Sequence, residues 1–141
     1  MFFDNTLMFA DAQTVTADAA GTVGGSASVL QLGGDDYSRM WVAILVDTAF
    51  TTSGSPSAAT IVAKLQTSND STFSDGVEVL AEKTINIATA AKGDIVAFRL
   101  PLGFKKYARI YFDVTLTGGT TPAITAGKLT AGITDGIYTP Q

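Results

Sequence analysis

Two residue types that carry most enzyme chemistry are missing from this chain. It has no cysteine and no histidine among its 141 residues. Without cysteine there is no disulfide framework, thiolate nucleophile or Cys-type zinc site, and the redox compartment is not legible. Without histidine the commonest general base is gone, and with it every Ser-His-Asp and Cys-His arrangement. Charge is scarce too. Asp, Glu, Lys and Arg make up 16% of the chain, against about 25% in an average soluble protein. The nine basic residues are scattered, only Lys105-Lys106 being adjacent, and the net charge is −4. The basic footprint that nucleic acid demands is therefore absent. Apolar runs are short: the longest, Met40 to Val46, has seven residues, far below the roughly 18 of a membrane span. The start, Met1-Phe2-Phe3, is apolar but lacks a basic flank and is followed by Asp4 and Asp11, so no signal peptide is expected. Partners of the nucleic-acid and membrane classes are accordingly not expected, and neither is a cofactor.

What the chain does contain is hydroxyl, glycine and alternation. Hydrophobic residues reach 46%, enough for the core of one domain spanning 1–141. From Tyr107 to Thr117, Ala108, Ile110, Phe112, Val114 and Leu116 share one parity, and Tyr107, Arg109, Tyr111, Asp113 and Thr115 share the other. That is the period of a half-buried strand. Thr60–Gln66 and Ile95–Leu100 repeat it, with Arg99 facing water. Met40–Val46 is apolar in both parities, as in a central strand covered on both sides or a strand with one face in a subunit interface; Trp41 is assigned to the core. After Ala123 the phase slips, Ile124 and Ala126 against Leu129, Ala131 and Ile133, and Gly127 marks a bulge. Thr6–Phe9, Ala27–Leu32, Val77–Leu80 and Thr84–Ile87 complete the expected strands. Ala17–Ser28, rich in Gly, Ser and Ala, is expected to be a long loop. Eight or nine short antiparallel strands separated by Gly/Ser/Asp/Pro turns predict an all-β sandwich or barrel.

Catalytic templates fail one by one. Gly24-Gly25-Ser26-Ala27-Ser28 lacks the last glycine of a serine elbow, and neither a phosphate loop nor a dinucleotide fingerprint occurs. Asp113, Glu78, Glu82, Asp35 and Asp36 are the acids available for paired-carboxylate chemistry, but most sit in turns or at strand ends. No catalytic or metal-binding residue is assigned, and an enzyme is not expected. Asn69 to Gly76 does not match a calcium loop; it reads as a turn capped by Asn69 and Asp70, with Phe73 plugging the core. Lys105, Lys106, Tyr107, Arg109 and Tyr111 form the exposed cluster best suited to protein contact, since Tyr and Arg bury large areas around a polar handle. The apolar start (Phe2, Phe3, Leu7, Met8 and Phe9) is the second candidate, either a first strand over the chain's own core or an arm reaching a neighbour.

Several blocks resemble the capsid cement (decoration) proteins of tailed bacteriophages, of the Bbp16 type. They are Leu7-Met8-Phe9-Ala10-Asp11-Ala12-Gln13-Thr14-Val15-Thr16; Leu65-Gln66-Thr67-Ser68-Asn69-Asp70 with Phe73-Ser74; Leu100-Pro101-Leu102-Gly103 before Tyr107-Ala108-Arg109-Ile110-Tyr111-Phe112; Gly118-Gly119-Thr120-Thr121-Pro122; and Gly127-Lys128-Leu129-Thr130-Ala131. The resemblance implies a jelly-roll β-sandwich on the exterior of the virion, made in the host bacterial cytoplasm. It also implies that the major capsid protein is the partner and that neighbouring capsid subunits are clamped together. Low charge and the doubly apolar Met40–Val46 strand add the expectation of a homodimer or homotrimer. The competing reading is a jelly-roll receptor- or carbohydrate-binding module of a tail or fibre. A sugar-binding module would ordinarily expose Trp, and the chain has one.

Overall fold

The computed structural model describes residues 7–31, 40–101 and 103–134. Ten strands follow one another: β1 (Met8–Thr14), β2 (Ala19–Ala20), β3 (Thr22–Val23), β4 (Ser26–Ala27), β5 (Trp41–Ser53), β6 (Ala58–Ser68), β7 (Glu78–Asn86), β8 (Ile95–Arg99), β9 (Tyr107–Thr117) and β10 (Ala123–Thr134). Eight of them build two antiparallel four-stranded sheets, ordered β1-β10-β5-β8 and β2-β9-β6-β7. Setting aside the small β3–β4 hairpin, the chain passes repeatedly between the two sheets in jelly-roll fashion, so most core contacts join residues distant in sequence.

Alternation determines which face each strand buries. Ile61, Ala63 and Leu65 on β6 and Ala108, Ile110 and Phe112 on β9 are fully buried. They meet Val42, Ile44 and Val46 of β5 and Leu129, Ala131 and Ile133 of β10 in one apolar cluster between the sheets. The strand expected at Tyr107–Thr117 has those bounds. The slip at Gly127 is present, with the β10–β5 register shifting between Ala126 and Lys128. Its cause is steric. A Cβ on Gly127 would lie 2.1 Å from the Phe50 ring, so Phe50 fills the side-chain space that the bulge leaves empty.

Four expectations are corrected. The stretch Ala17–Ser28 is not one long loop. Ala19 and Ala20 pair with Phe112 and Tyr111, and Thr22–Val23 pairs with Ser26–Ala27. The turn between them is Gly24-Gly25, both at positive φ (63° and 83°), the backbone that a two-residue hairpin requires. The Gln13 side chain anchors this segment, donating to Ala20 O and accepting from Thr22 N; polar side-chain anchoring leaves no hydrophobic period to read. Second, Val77–Leu80 and Thr84–Ile87 belong to one strand, β7 (Glu78–Asn86), carried through the polar residues Glu82 and Lys83 because it is an edge. Third, the first strand runs from Met8 to Thr14 rather than from Thr6 to Phe9. Fourth, Trp41 is outside the inter-sheet core: β5 is a central strand, but its Trp41–Ala43–Leu45 parity faces away from the core cluster, and the Arg99 guanidinium lies 5.4 Å from the Trp41 ring centroid.

Candidate protein-binding face

The outer face of the β2-β9-β6-β7 sheet gathers most of the residues that sequence pattern marks for contact. Because Ala108, Ile110 and Phe112 point inward, Tyr107, Arg109, Tyr111 and Asp113 must point outward. Register places Ser68, Gln66, Lys64 and Val62 of β6 beside them. Val79, Glu82 and Thr84 of β7 come next, opposite Gln66, Lys64 and Val62. Phe2 and Phe3 lie outside the described residues.

Arg109 is the centre of this face. Its Nε donates to Gln66 Oε1 at 2.8 Å. Its guanidinium carbon lies 4.4 Å from the Phe73 ring centroid and 5.4 Å from that of Tyr111. Stacking on two rings fixes a planar side chain that would otherwise sample many rotamers. Burial pulls the guanidinium below its ordinary pKa, with Tyr111 acting in the opposite sense.

Phe73 reaches this position through a turn that its neighbours hold rigidly. It sits at φ 56°, unusual for an aromatic residue, and donates its N–H to Asp70 O at 3.1 Å. The Asp70 carboxylate accepts from Thr72 N (3.0 Å) and Thr72 Oγ1 (2.8 Å), and from the backbone and hydroxyl of Ser74. These bonds, that from the Ser74 hydroxyl foremost, hold the Asp70 pKa at about 2. The turn expected at Asn69–Asp70 is thus present, and Phe73 is buried as expected (7% exposed), but against the Arg109 guanidinium rather than in the inter-sheet cluster.

The cations divide into two sets. Lys64 pairs with Asp113 at 2.9 Å, and this hydrogen bond and charge raise its pKa. Lys105 donates to Gly76 O at 2.7 Å and lies 3.5 Å from Glu78. Its backbone N–H also donates to Thr67 Oγ1, which donates in turn to Tyr107 O. Lys105 therefore ties the β9 approach to the β6–β7 connection. Lys106 and Arg109 have no carboxylate partner among the described residues; Lys106 Nζ lies 5.4 Å from the Tyr107 ring centroid.

Val79, 48% exposed, and Val77, 38% exposed, are the exposed large hydrophobics of the described residues, and both lie at this edge. Sequence pattern misses them because Val77–Leu80 resembles a buried strand. It misses Gln66 because hydrogen bonding between distant residues leaves no periodic trace. Of the acids weighed for catalysis, Asp113 is bound to Lys64, Glu82 lies opposite Lys64 on β7, and Glu78 is mostly exposed beside Lys105. Asp35 and Asp36 lie outside the described residues. A pocket of about 250 Å³ near the Ala58 end of β6, over Phe50, Ala59 and Ile87, has no ionisable group in its lining. The arrangement suits surface recognition: a hydrogen-bonded sheet carrying aromatic rings, a fixed guanidinium and exposed valines.

Comparison with protein families matches residues 9–133 to the family described as Bbp16. No curated protein matches the chain.

Proposed function

The chain belongs to the Bbp16 family, a phage-associated family whose model spans nearly all of the described sandwich, and from that premise we propose that it is a structural virion protein which cements the capsid. In this reading it sits on the capsid exterior and bridges neighbouring major capsid subunits. It has no catalytic role, and it works as a homodimer or homotrimer on the particle.

The observation that carries the reading is the ordered outer face around Arg109. Fixed aromatic and arginine side chains lose little conformational entropy on binding, which makes them effective anchors. Exposed Val79 and Val77 beside them extend the patch in the direction of the β7 edge. Many modest contacts repeated over a shell accumulate avidity that no single site requires. A protein that binds the assembled lattice better than separated subunits stabilises the lattice by mass action.

Stripped shells mixed with the protein and imaged by cryo-electron microscopy test this. Regular density on the outer surface, bridging adjacent subunits, is the expected result. Bare shells, with density confined to tails or fibres, would instead support the receptor-binding alternative.

A further inference from the structure

We propose that the Arg109 face takes a carboxylate-bearing segment of the partner protein, with the Arg109 fork holding an Asp or Glu side chain and Lys106 flanking it. This rests on the cement reading for the partner's identity. The site is distinguished by which of its charges are already satisfied.

Lys105, Lys106 and Arg109 are three of the nine basic residues of a chain whose net charge is −4. Lys105 is engaged within the chain by Glu78 and Gly76 O, and nearby Lys64 by Asp113. Lys106 and Arg109 are left without a counter-charge among the described residues. Arg109 is half-buried and spends only its Nε, on Gln66. The two terminal nitrogens keep their donors in the plane of the guanidinium, whose orientation the Phe73 and Tyr111 rings fix. A planar pair of parallel N–H donors is the complement of a carboxylate, which accepts two such bonds side by side. Leaving a partly desolvated cation unpaired is unfavourable in the free protein, and an incoming carboxylate removes that cost. Exposed Val79, opposite Gln66, with exposed Val77 just before β7, favours apolar neighbours next to the acid in the partner segment.

The test uses the full chain and shells assembled from the major capsid protein of the same phage. Arg109→Lys keeps the charge but loses the fork, and Arg109→Gln loses both. Arg109→Lys should weaken shell binding by about ten- to a hundredfold, the loss of one charge-assisted hydrogen bond, and Arg109→Gln by more. Melting curves establish that both variants fold. In the Arg109→Lys complex, a water-soluble carbodiimide should couple the new amine at position 109, and Lys106, to shell Asp or Glu side chains. Lys64 and Lys105 should stay uncoupled to the shell. Wild-type affinity for both folded variants, or shell links formed only from other lysines, would overturn the proposal while leaving cementing intact. Displacement of the shell by a DNA duplex competing for the same face would assign it to phosphate and overturn it as well. No decoration of shells by the wild-type chain would overturn the cement reading itself, and occupancy in particle images distinguishes that failure from the others.

Discussion

Phe112 and Arg109 are three positions apart on one strand and face opposite media, so substituting each separates core from surface. Phe112 is fully buried in the inter-sheet cluster, and Phe112→Ala should destabilise by about 3–5 kcal/mol; Phe112→Asp should cost at least as much, through an unpaired charge in the core. Arg109→Ala removes a guanidinium stacked on Phe73 and Tyr111 and should cost about 1 kcal/mol or less. Urea unfolding midpoints decide, and equal midpoints for wild type and Phe112→Asp would refute the assignment of faces. Asp70 supplies a second test. Its folded pKa of about 2 lies below the unfolded value of 3.8. Its stabilisation of the turn is therefore fully present above 3.8 and lost as pH falls through 2. A carboxyl titration followed by NMR should give a midpoint near 2 in wild type and a higher one in Ser74→Ala. A wild-type midpoint at the ordinary value would mean that the Phe73 turn is not held in this way.

The strands differ in how plainly their residues announce them. β6 and β9 are legible in the sequence because the medium changes at every residue: core on one side, the outer face of the sheet on the other. Gly127 is legible because an alternation that changes phase at a glycine is what an inserted bulge residue produces. β7 reads as two strands because an edge strand buries little. Its pattern is mostly exposed, with Ile85 its one buried residue, so hydrophobicity gives it no continuous signal. The β2–β4 segment reads as loop because backbone pairing to β9 and the Gln13 side chain hold it, and neither is periodic. At the candidate face, the basic and tyrosine residues of β9 are visible as a cluster. Phe73, Gln66 and Val79, which give the cluster its order and its apolar margin, come from distant segments that only the register brings together. The same pairing predicts hydrogen exchange. β6, paired on both sides by β7 and β9, should protect its amides longest within its sheet, whereas β7, with one partner strand, should exchange sooner along its free edge. Equal protection of β6 and β7 would indicate that the β7 edge is covered in solution.

Across the whole molecule, one ordered, partly cationic face stands on an otherwise acidic jelly roll, and the proposed cementing role assigns that face to the capsid surface. The two faces of the sandwich are unlike. The outer face of the β1-β10-β5-β8 sheet carries Trp41 and Leu45, both partly covered, while the opposite sheet presents Arg109, Lys106, Tyr107 and Tyr111 with the exposed valines. Preferential binding to the intact lattice must raise the temperature at which the shell opens, by mass action. The most direct test is thermal release of packaged DNA from shells stripped of the protein and from the same shells resaturated with it, followed with a DNA-binding dye. A higher release temperature on resaturation, diminished when folded Arg109→Gln protein is used, is the result predicted. Superimposable release curves at full occupancy of the wild-type protein would contradict the cementing role.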